Sequence, residues 1–424
     1  MINARKAVLN SLIKFEEDNS YSNLALDKTL KSEDFSAKDK AFITTLFYGV
    51  IERKITLDYI IKRFSENNGR LKKYVRQNLR MALYQILFLD KIPNSAAVDE
   101  SIKLLNGKYS FAKGYTNALL RNVIRNLPLD MDFKEIDDDI KRLSVKYSFP
   151  EDLIKFFIKN YGEDVELLLS AFSKIPKTAI RVNTLKTDDD SLIEILKDEG
   201  IIATKGNIKN SLFIENIGSL EKLKSFKEGL FHIEDESAQQ AAVFLDAKSG
   251  DDVLDICAAP GGKTFTIAQI MQNKGKIVAN DVYPHKLKLI EKGAERLGID
   301  IIETSLKDAS KDTGFAKFDK ILCDVPCSGL GIIRKKPEIR YKNPHSLDNL
   351  PNLQYLILCN ASHFLKSGGK LIYSTCTLNK LENEEVVARF LKDNKDFSKL
   401  KEKTYFPHID GNDGFYISVL EKAK

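Results

Sequence analysis

From Asp235 onward, short apolar runs alternate with helical segments: Asp252-Val-Leu-Asp-Ile-Cys257, Lys276-Ile-Val-Ala-Asn-Asp281, Phe318-Asp-Lys-Ile-Leu-Cys-Asp324 and Gly369-Lys-Leu-Ile-Tyr-Ser-Thr375. Strands separated by helices pair as parallel neighbours, and such a sheet is covered by helices on both faces. The alternation therefore predicts an α/β Rossmann-like domain over residues 235–424, with any ligand at the carboxyl ends of the strands. The motifs with chemical potential all fall at those ends.

The rest of the chain reads differently. Ile43, Leu46, Phe47, Val50 and Ile51 follow helical spacing, as do Val75, Leu79, Leu83 and Ile86, and further helices are expected at 96–105 and 116–127,. Residues 1–130 are thus expected to be an all-α domain. Residues 131–234 are expected to hold an acidic connector, helical material through 147–172 and a small α+β module. Its strands are predicted at Thr178–Asn183, Ser211–Glu215 and Leu230–Glu234, and its helix at Asp188–Glu199,.

A chain of 424 residues accommodates such a multidomain plan, and 43% hydrophobic with 30% charged residues is the balance of a soluble globular protein,. No apolar run reaches the roughly 18 residues of a membrane span, so a cytoplasmic protein with no membrane partner is expected. The five cysteines, Cys257, Cys323, Cys327, Cys359 and Cys376, are too few for a disulfide scaffold and read as free thiols,. No metal site is expected. A formal charge of +6 permits a polyanionic partner without requiring one,. Arg70-Leu-Lys-Lys-Tyr-Val-Arg76, Arg121 and Arg125 are spaced to form a positive face, although that spacing alone is ordinary solvated helix surface,.

Asp255-Ile-Cys-Ala-Ala-Pro-Gly-Gly-Lys263-Thr264 runs from a strand through a turn of small residues into a helix. Small residues let the backbone approach a ligand closely, and the helix start favours negative charge. The turn matches neither the dinucleotide nor the P-loop pattern, which weakens phosphate-specific readings. Asp281, at the next strand end, stands where nucleotide binders place an acid on ribose hydroxyls, and Asp308 is placed to receive an adenine amino group. Each aspartate taken singly reads as a helix cap or loop residue; their joint placement carries the argument.

Asp324-Val-Pro-Cys-Ser-Gly-Leu-Gly331 and Tyr373-Ser-Thr-Cys-Thr377 each put a thiol just past a strand, at the same face. A lone buried cysteine is an inert small hydrophobe, which is the reading for Cys323 and Cys359. Two thiols in one cleft suit methylation at C5 of a pyrimidine, a carbon that needs activation. Thiolate addition to C6 makes C5 nucleophilic, and a second group must then help remove the C5 proton and expel the thiol. Asp324 is placed to touch the base edge or the reactive end of the cofactor, and Lys263 to stabilise charge on the base.

The blocks Cys-Ala-Ala-Pro-Gly-Gly-Lys, Asp-Val-Pro-Cys-Ser-Gly and Ser-Thr-Cys-Thr with Glu382-Asn-Glu384 resemble the signatures of the Sun/NOL family of RNA 5-methylcytosine methyltransferases. Arg181-Val-Asn183, His232 to Gln239 and Pro407 to Phe415 extend the resemblance. The N-terminal helices resemble a NusB-like RNA-binding domain through Leu46-Phe-Tyr-Gly-Val50, Leu79 to Gln85, Ala96 to Glu100 and Asn117 to Arg121. That fusion resembles the RsmB/Sun/Fmu branch, which acts on 16S ribosomal RNA.

The resemblance implies an RRM-like central module and a class I methyltransferase using S-adenosyl-L-methionine. Its substrate would be 16S rRNA, free or in an early assembly state, at the family's cytosine 967, and the enzyme would act as a monomer. It implies that Cys376 is the nucleophile and that Cys327 assists elimination or acts as base, the reverse of DNA cytosine-5 enzymes. It also implies that Cys257, Ala258, Ala259, Pro260, Gly261, Gly262, Lys263, Asp281, Asp308 and Asp324 contact the cofactor, and it assigns the basic helical face to RNA. Val325, Thr377 and Lys307 depart from the usual pattern, the last beside Asp308. Transfer RNA methylation by the same chemistry is the alternative within the enzyme class. A non-catalytic RNA-binding or antitermination factor is the alternative outside it.

Overall fold

The computed structural model describes residues 3–18, 22–65, 71–215, 220–342 and 349–424. By contact the chain divides into two compact units, residues 1–173 with 336–344 and residues 174–335 with 345–424.

The first unit is helical. The stripe from Ile43 to Ile51 lies on Ala37–Glu52 and the one from Val75 to Ile86 on Lys73–Phe88. The helices expected at 96–105 and 116–127 are Asn94–Leu104 and Lys113–Arg125. Ser36 starts the first of these four by accepting the Asp39 N–H at 3.1 Å, which satisfies one of the open donors of a helix start,. The apolar stripes close on one core in which Leu9, Leu46, Leu79, Leu83 and Leu120 are wholly buried, each contributing about 2 kcal/mol of burial. Arg80 lies buried beside them because Asp58 takes its guanidinium with both oxygens, at 2.6 and 2.5 Å,.

The basic face is partly neutralised within this unit. Lys73 pairs with Glu17 and Arg76 with Glu16, while Arg70 lies outside the described residues. The helices Asp139–Tyr147, Glu151–Tyr161 and Val165–Phe172, grouped with the central module in the sequence reading, fall in this unit by contact. The chain also re-enters it late. In Pro337–Tyr341 the wholly buried Arg340 donates to the Glu52 carbonyl at 2.9 Å and stacks 4.5 Å above the Phe149 ring.

The second unit contains two sheets. The smaller has β1 (Thr178–Val182), β2 (Ile202–Lys205), β3 (Ser211–Glu215) and β4 (Phe231–Ile233), antiparallel in the order β2-β3-β1-β4. The helix Asp189–Asp198, capped by Asp188, packs Leu192 and Leu196 onto Ile180, Val182 and Leu212. Three of the strands match the expected segments. β2 has no alternation to announce it, because as an edge strand it leaves three of its four residues exposed.

The larger sheet has β5 (Asp252–Asp255), β6 (Lys276–Asn280), β7 (Ile302–Ser305), β8 (Phe318–Asp324), β9 (Leu365–Thr375), β10 (Phe397–Tyr405) and β11 (Phe415–Lys422). Its order is β10-β11-β9-β8-β5-β6-β7, parallel from β9 to β7 and antiparallel where β11 joins. Leu254, Ile321, Leu322, Leu371 and Ile372 are wholly buried, as two-sided helix cover requires,. The chain runs outward from β5 to β7 and then crosses to β8, so the connections diverge between β5 and β8, where α/β sheets bind ligands. Asp255 and Asp324 end those two strands.

Candidate active site

The turn after β5 leaves the sheet one residue past Asp255. Ala258 N–H donates to the Asn280 carbonyl at 2.8 Å, and Gly261 N–H to Ala258 at 2.8 Å, so the chain folds back tightly before the helix Gly262–Ile270. Gly261 sits at φ 110°, a backbone region that excludes other residues, and a Cβ there would meet the Phe265 ring at 2.5 Å,. Cys257, Ala258, Ala259, Pro260, Gly262 and Lys263 line a cavity of about 170 Å³ with Glu234, Asp255 and Asp324. A larger cavity, about 540 Å³, lies in the helical unit between Phe15, Lys54 and Tyr341. Size does not follow chemistry here, because the titratable groups at strand ends converge on the smaller one.

Asp255 and Glu234 were not singled out from sequence, although both lie within quoted motifs. Asp255 is wholly buried, accepts the Thr264 hydroxyl at 2.6 Å on one oxygen and has no partner for the other. Burial pushes its pKa up to about 7,. Burial also raises that of Glu234, but His232 and the Lys263 ammonium outweigh it and hold the carboxyl below its ordinary range. Thr266 donates to Glu234 at 2.6 Å.

Lys263 ties the glycine turn to the end of β8. Its ammonium donates to one Asp324 oxygen at 2.7 Å and lies 5.1 Å from the Phe415 ring centroid, while Ser374 Oγ donates to the other Asp324 oxygen at 2.8 Å. Ser374 is opposite Asp324 in the β8/β9 ladder, so strand register fixes this contact. Burial opposes the ammonium, yet Asp324, Glu234 and Cys376 raise its pKa above the usual lysine value.

The sulfurs of Cys327 and Cys376 are 3.2 Å apart. Their loops are locked together: Ser328 and Thr377 hydroxyls are 2.6 Å apart, Gly331 N–H donates to the Cys376 carbonyl at 3.0 Å, and Gly414 N–H to the Gly331 carbonyl at 2.9 Å. A Cβ on Gly331 would lie 1.9 Å from the Gly414 carbonyl, so both glycines are needed for this approach. The Cys327 pKa is raised by its hydrogen bond to Cys376, then by burial, then by the charges of Cys376, Glu382 and Asp324. The Lys263 ammonium interacts electrostatically with Cys376, and the Glu382 and Asp324 carboxylates disfavour ionisation of Cys327.

The remaining expected cofactor residues stand further along the strand ends. Asp281, buried past β6, accepts Tyr283 N–H at 3.0 Å. Asp308 is engaged in its own turn, accepting Ser310 N–H and Oγ on one oxygen, with Lys311 at 3.2 Å from the other. The Ser310 hydrogen bonds hold its pKa below the usual carboxylate range. Neither residue lines the cavity at the glycine turn. Cys323 is wholly buried between strands, and burial also raises the pKa of Cys359. Among the described residues, no group of three or more His, Cys, Asp or Glu is placed to hold a metal, and no helix is long and apolar enough to cross a membrane.

The chain is similar to known proteins along its whole length. The family model described as 16S rRNA methyltransferase RsmB/F matches residues 242–421, the NusB family model matches 2–125, and that of the ferredoxin-like domain of RsmF/B-like methyltransferases matches 149–220. The chain is 37% identical to the probable ribosomal RNA small subunit methyltransferase B of Bacillus subtilis, over 99% of this chain and 98% of that protein. It is 33% identical to the protein described in the same words from Synechocystis, over 100% of both. The crystal structure of PH0851 aligns with a TM-score of 0.83 at 28% identity, over 100% of this chain and 99% of that one. With a helical NusB-type region, a small antiparallel sheet and a methyltransferase sheet carrying paired thiols, the chain belongs to the RsmB/F family of 16S ribosomal RNA methyltransferases.

Proposed function

We propose that this enzyme methylates C5 of a cytosine in 16S rRNA, the family's cytosine 967, through a covalent adduct of Cys376 with C6. The observation that carries this reading is the thiol pair, 3.2 Å apart, with the Lys263 ammonium acting on Cys376 and the Glu382 and Asp324 carboxylates on Cys327. Lys263 favours the thiolate on Cys376, while the carboxylates near Cys327 favour its protonated form.

S-adenosyl-L-methionine fits the turn Cys257–Lys263, because small residues line it and the buried Asp255 offers an unpartnered oxygen to a cationic ligand. When bound, it supplies an electrophilic methyl group. Asp281 is proposed for the ribose hydroxyls, and Asp308 for the adenine amine through the oxygen that faces the exposed Lys311. The Lys263–Asp324 pair orients the base edge and links it to the cofactor turn.

Cys376 Sγ bonds to C6, and the C5=C6 electron pair becomes available at C5, which takes the methyl group. Alkylation of Cys376 removes two of the influences that keep Cys327 protonated, its hydrogen bond to Cys376 and the charge there. Cys327 then loses its proton to water and accepts the C5 proton. The C5–H electrons restore the C5=C6 bond, and the Cys376 sulfur leaves as thiolate. One proton is released per turnover.

The target must be unstacked for C6 to be reached, so a loop cytosine in free or early-assembly rRNA, bound by a cytoplasmic monomer, is the proposed substrate. Methylation of ribosomal and transfer RNA transcripts, with mapping of the modified base, tests this reading. The ribosomal transcript should be modified at one cytosine, and Cys376→Ala should abolish it. Full activity in that variant, or modification of the transfer RNA alone, would overturn the assignment.

A further inference from the structure

We propose that Glu382 is the positioning residue that holds the elimination thiol, Cys327, against the nucleophile loop. Its carboxylate is wholly buried and surrounded by donors. One oxygen accepts Ser328 N–H, next to Cys327, at 2.9 Å and Gln354 Nε2 at 2.9 Å; the other accepts Asn379 Nδ2, on the loop after Cys376, at 2.9 Å. Gln354 also donates to the Pro326 carbonyl at 2.9 Å, so the residues on either side of Cys327 are held through this group. Tyr373, in the strand that leads to Cys376, donates its hydroxyl to the Glu382 carbonyl at 2.5 Å.

A single buried anion therefore spans both thiol loops. Hydrogen bonds to a charged acceptor are about twice as strong as neutral ones, and a donor-only cage around a carboxylate leaves no slack. Asn383 repeats the pattern one residue on, accepting Thr375 Oγ1 at 2.5 Å and donating to the Thr377 carbonyl at 3.0 Å, but it touches only the nucleophile side. Glu382 reaches from the Cys327 loop to the Cys376 loop through its carboxylate.

The same charge affects the chemistry. Glu382 is among the groups that disfavour Cys327 ionisation. Once Cys376 is bonded to C6, Glu382 remains, and a thiolate formed beside it is a stronger base toward the C5 proton. Geometry and basicity thus both act through Cys327 on the second half of the reaction.

This inference rests on the roles proposed above for the two thiols, and single-turnover methylation of the rRNA transcript separates the two. Adduct formation and decay are followed on denaturing gels for the wild type, Glu382→Gln, Cys327→Ala and the double variant. Glu382→Gln places an amide nitrogen among donors. Adduct decay should slow roughly tenfold to a hundredfold, the scale of a displaced catalytic group, with KM for RNA unchanged and the pH limb for decay moved to lower pH. In the Cys327→Ala background the same substitution should have no further effect.

Wild-type decay with an unmoved pH limb, or an equal slowing in both backgrounds, would overturn the proposal. Should Glu382→Gln fail to fold, Asn379→Leu removes the Asn379 donor from the Glu382 cage while leaving every contact to the Cys327 loop in place, and slower decay with the same dependence on Cys327 is expected; unchanged decay counts against it. An adduct that survives Cys376→Ala would instead refute the nucleophile assignment.

Discussion

Replacing Asp255 with asparagine should change how the stability of the methyltransferase unit depends on pH. The carboxyl is wholly buried, and its pKa is pushed from 3.8 to about 7 by that burial. Between these values the folded protein retains a proton that the unfolded chain has released. Stability must then fall as pH rises through this window and level off above pH 7. At 1.36 kcal/mol per pKa unit, a shift of about three units makes the total loss about 4 kcal/mol. Asparagine can still accept the Thr264 hydroxyl, and it carries no charge. Its Nδ2 replaces the unpartnered oxygen, which adds a cost of about 1–3 kcal/mol that does not vary with pH.

The assay is urea unfolding of the ligand-free protein from pH 4.5 to 8, comparing the wild type with Asp255→Asn at each pH. Carboxylates held below their ordinary range, such as Glu234, act in the opposite direction but cancel in the difference. Wild-type stability relative to the variant should decline steadily to about pH 7 and then stay level. A difference that is constant across the range would refute the assignment of a protonated, buried Asp255.

Other consequences follow from the same geometry. If the unpartnered Asp255 oxygen meets the cationic cofactor, binding below pH 7 should release a proton, detected by calorimetry in buffers of different ionisation heat; no buffer dependence counts against it. Cys327→Ala should accumulate a denaturant-resistant protein–RNA adduct through Cys376, and continued turnover without adduct would remove the elimination role. Lys263→Met leaves Asp324 without its cation in a site largely closed to water, so it should cost stability by about 3 kcal/mol or more and abolish methylation, while Lys263→Arg should recover part of both. RNA affinity should fall steeply with salt in filter binding, because phosphate contacts release counterions.

Most of the framework was legible in the sequence because it rests on periodicity. Helical stripes and two-sided apolar runs show which segments must be buried, and burial dictates layers. The apolar run of β11 was legible but was not among the expected strands, whereas two other segments escaped because their residues do not report their surroundings. β2 is an exposed edge, and β10 hides behind Ser-Lys-Leu-Lys-Glu-Lys, whose charges protect an exposed edge of the sheet and erase its alternation,. The insertion of Pro337–Tyr341 into the helical unit depends on a socket built by Glu52, Tyr147 and Phe149, distant residues that no local pattern links to it.

At the site, sequence alone determined that two thiols, an aspartate and a glycine turn stand at strand ends facing one way, since those positions follow from strand order and polarity. That the Lys263 ammonium acts on Cys376 and the Glu382 carboxylate on Cys327 was decided only by tertiary packing. Lys263 arrives from the helix after β5 and Glu382 from the loop after β9, and distance in space sets Coulomb energy. The same holds for Asp255. Its letter at a strand end is ordinary, and only its wholly buried surroundings push its pKa up to about 7.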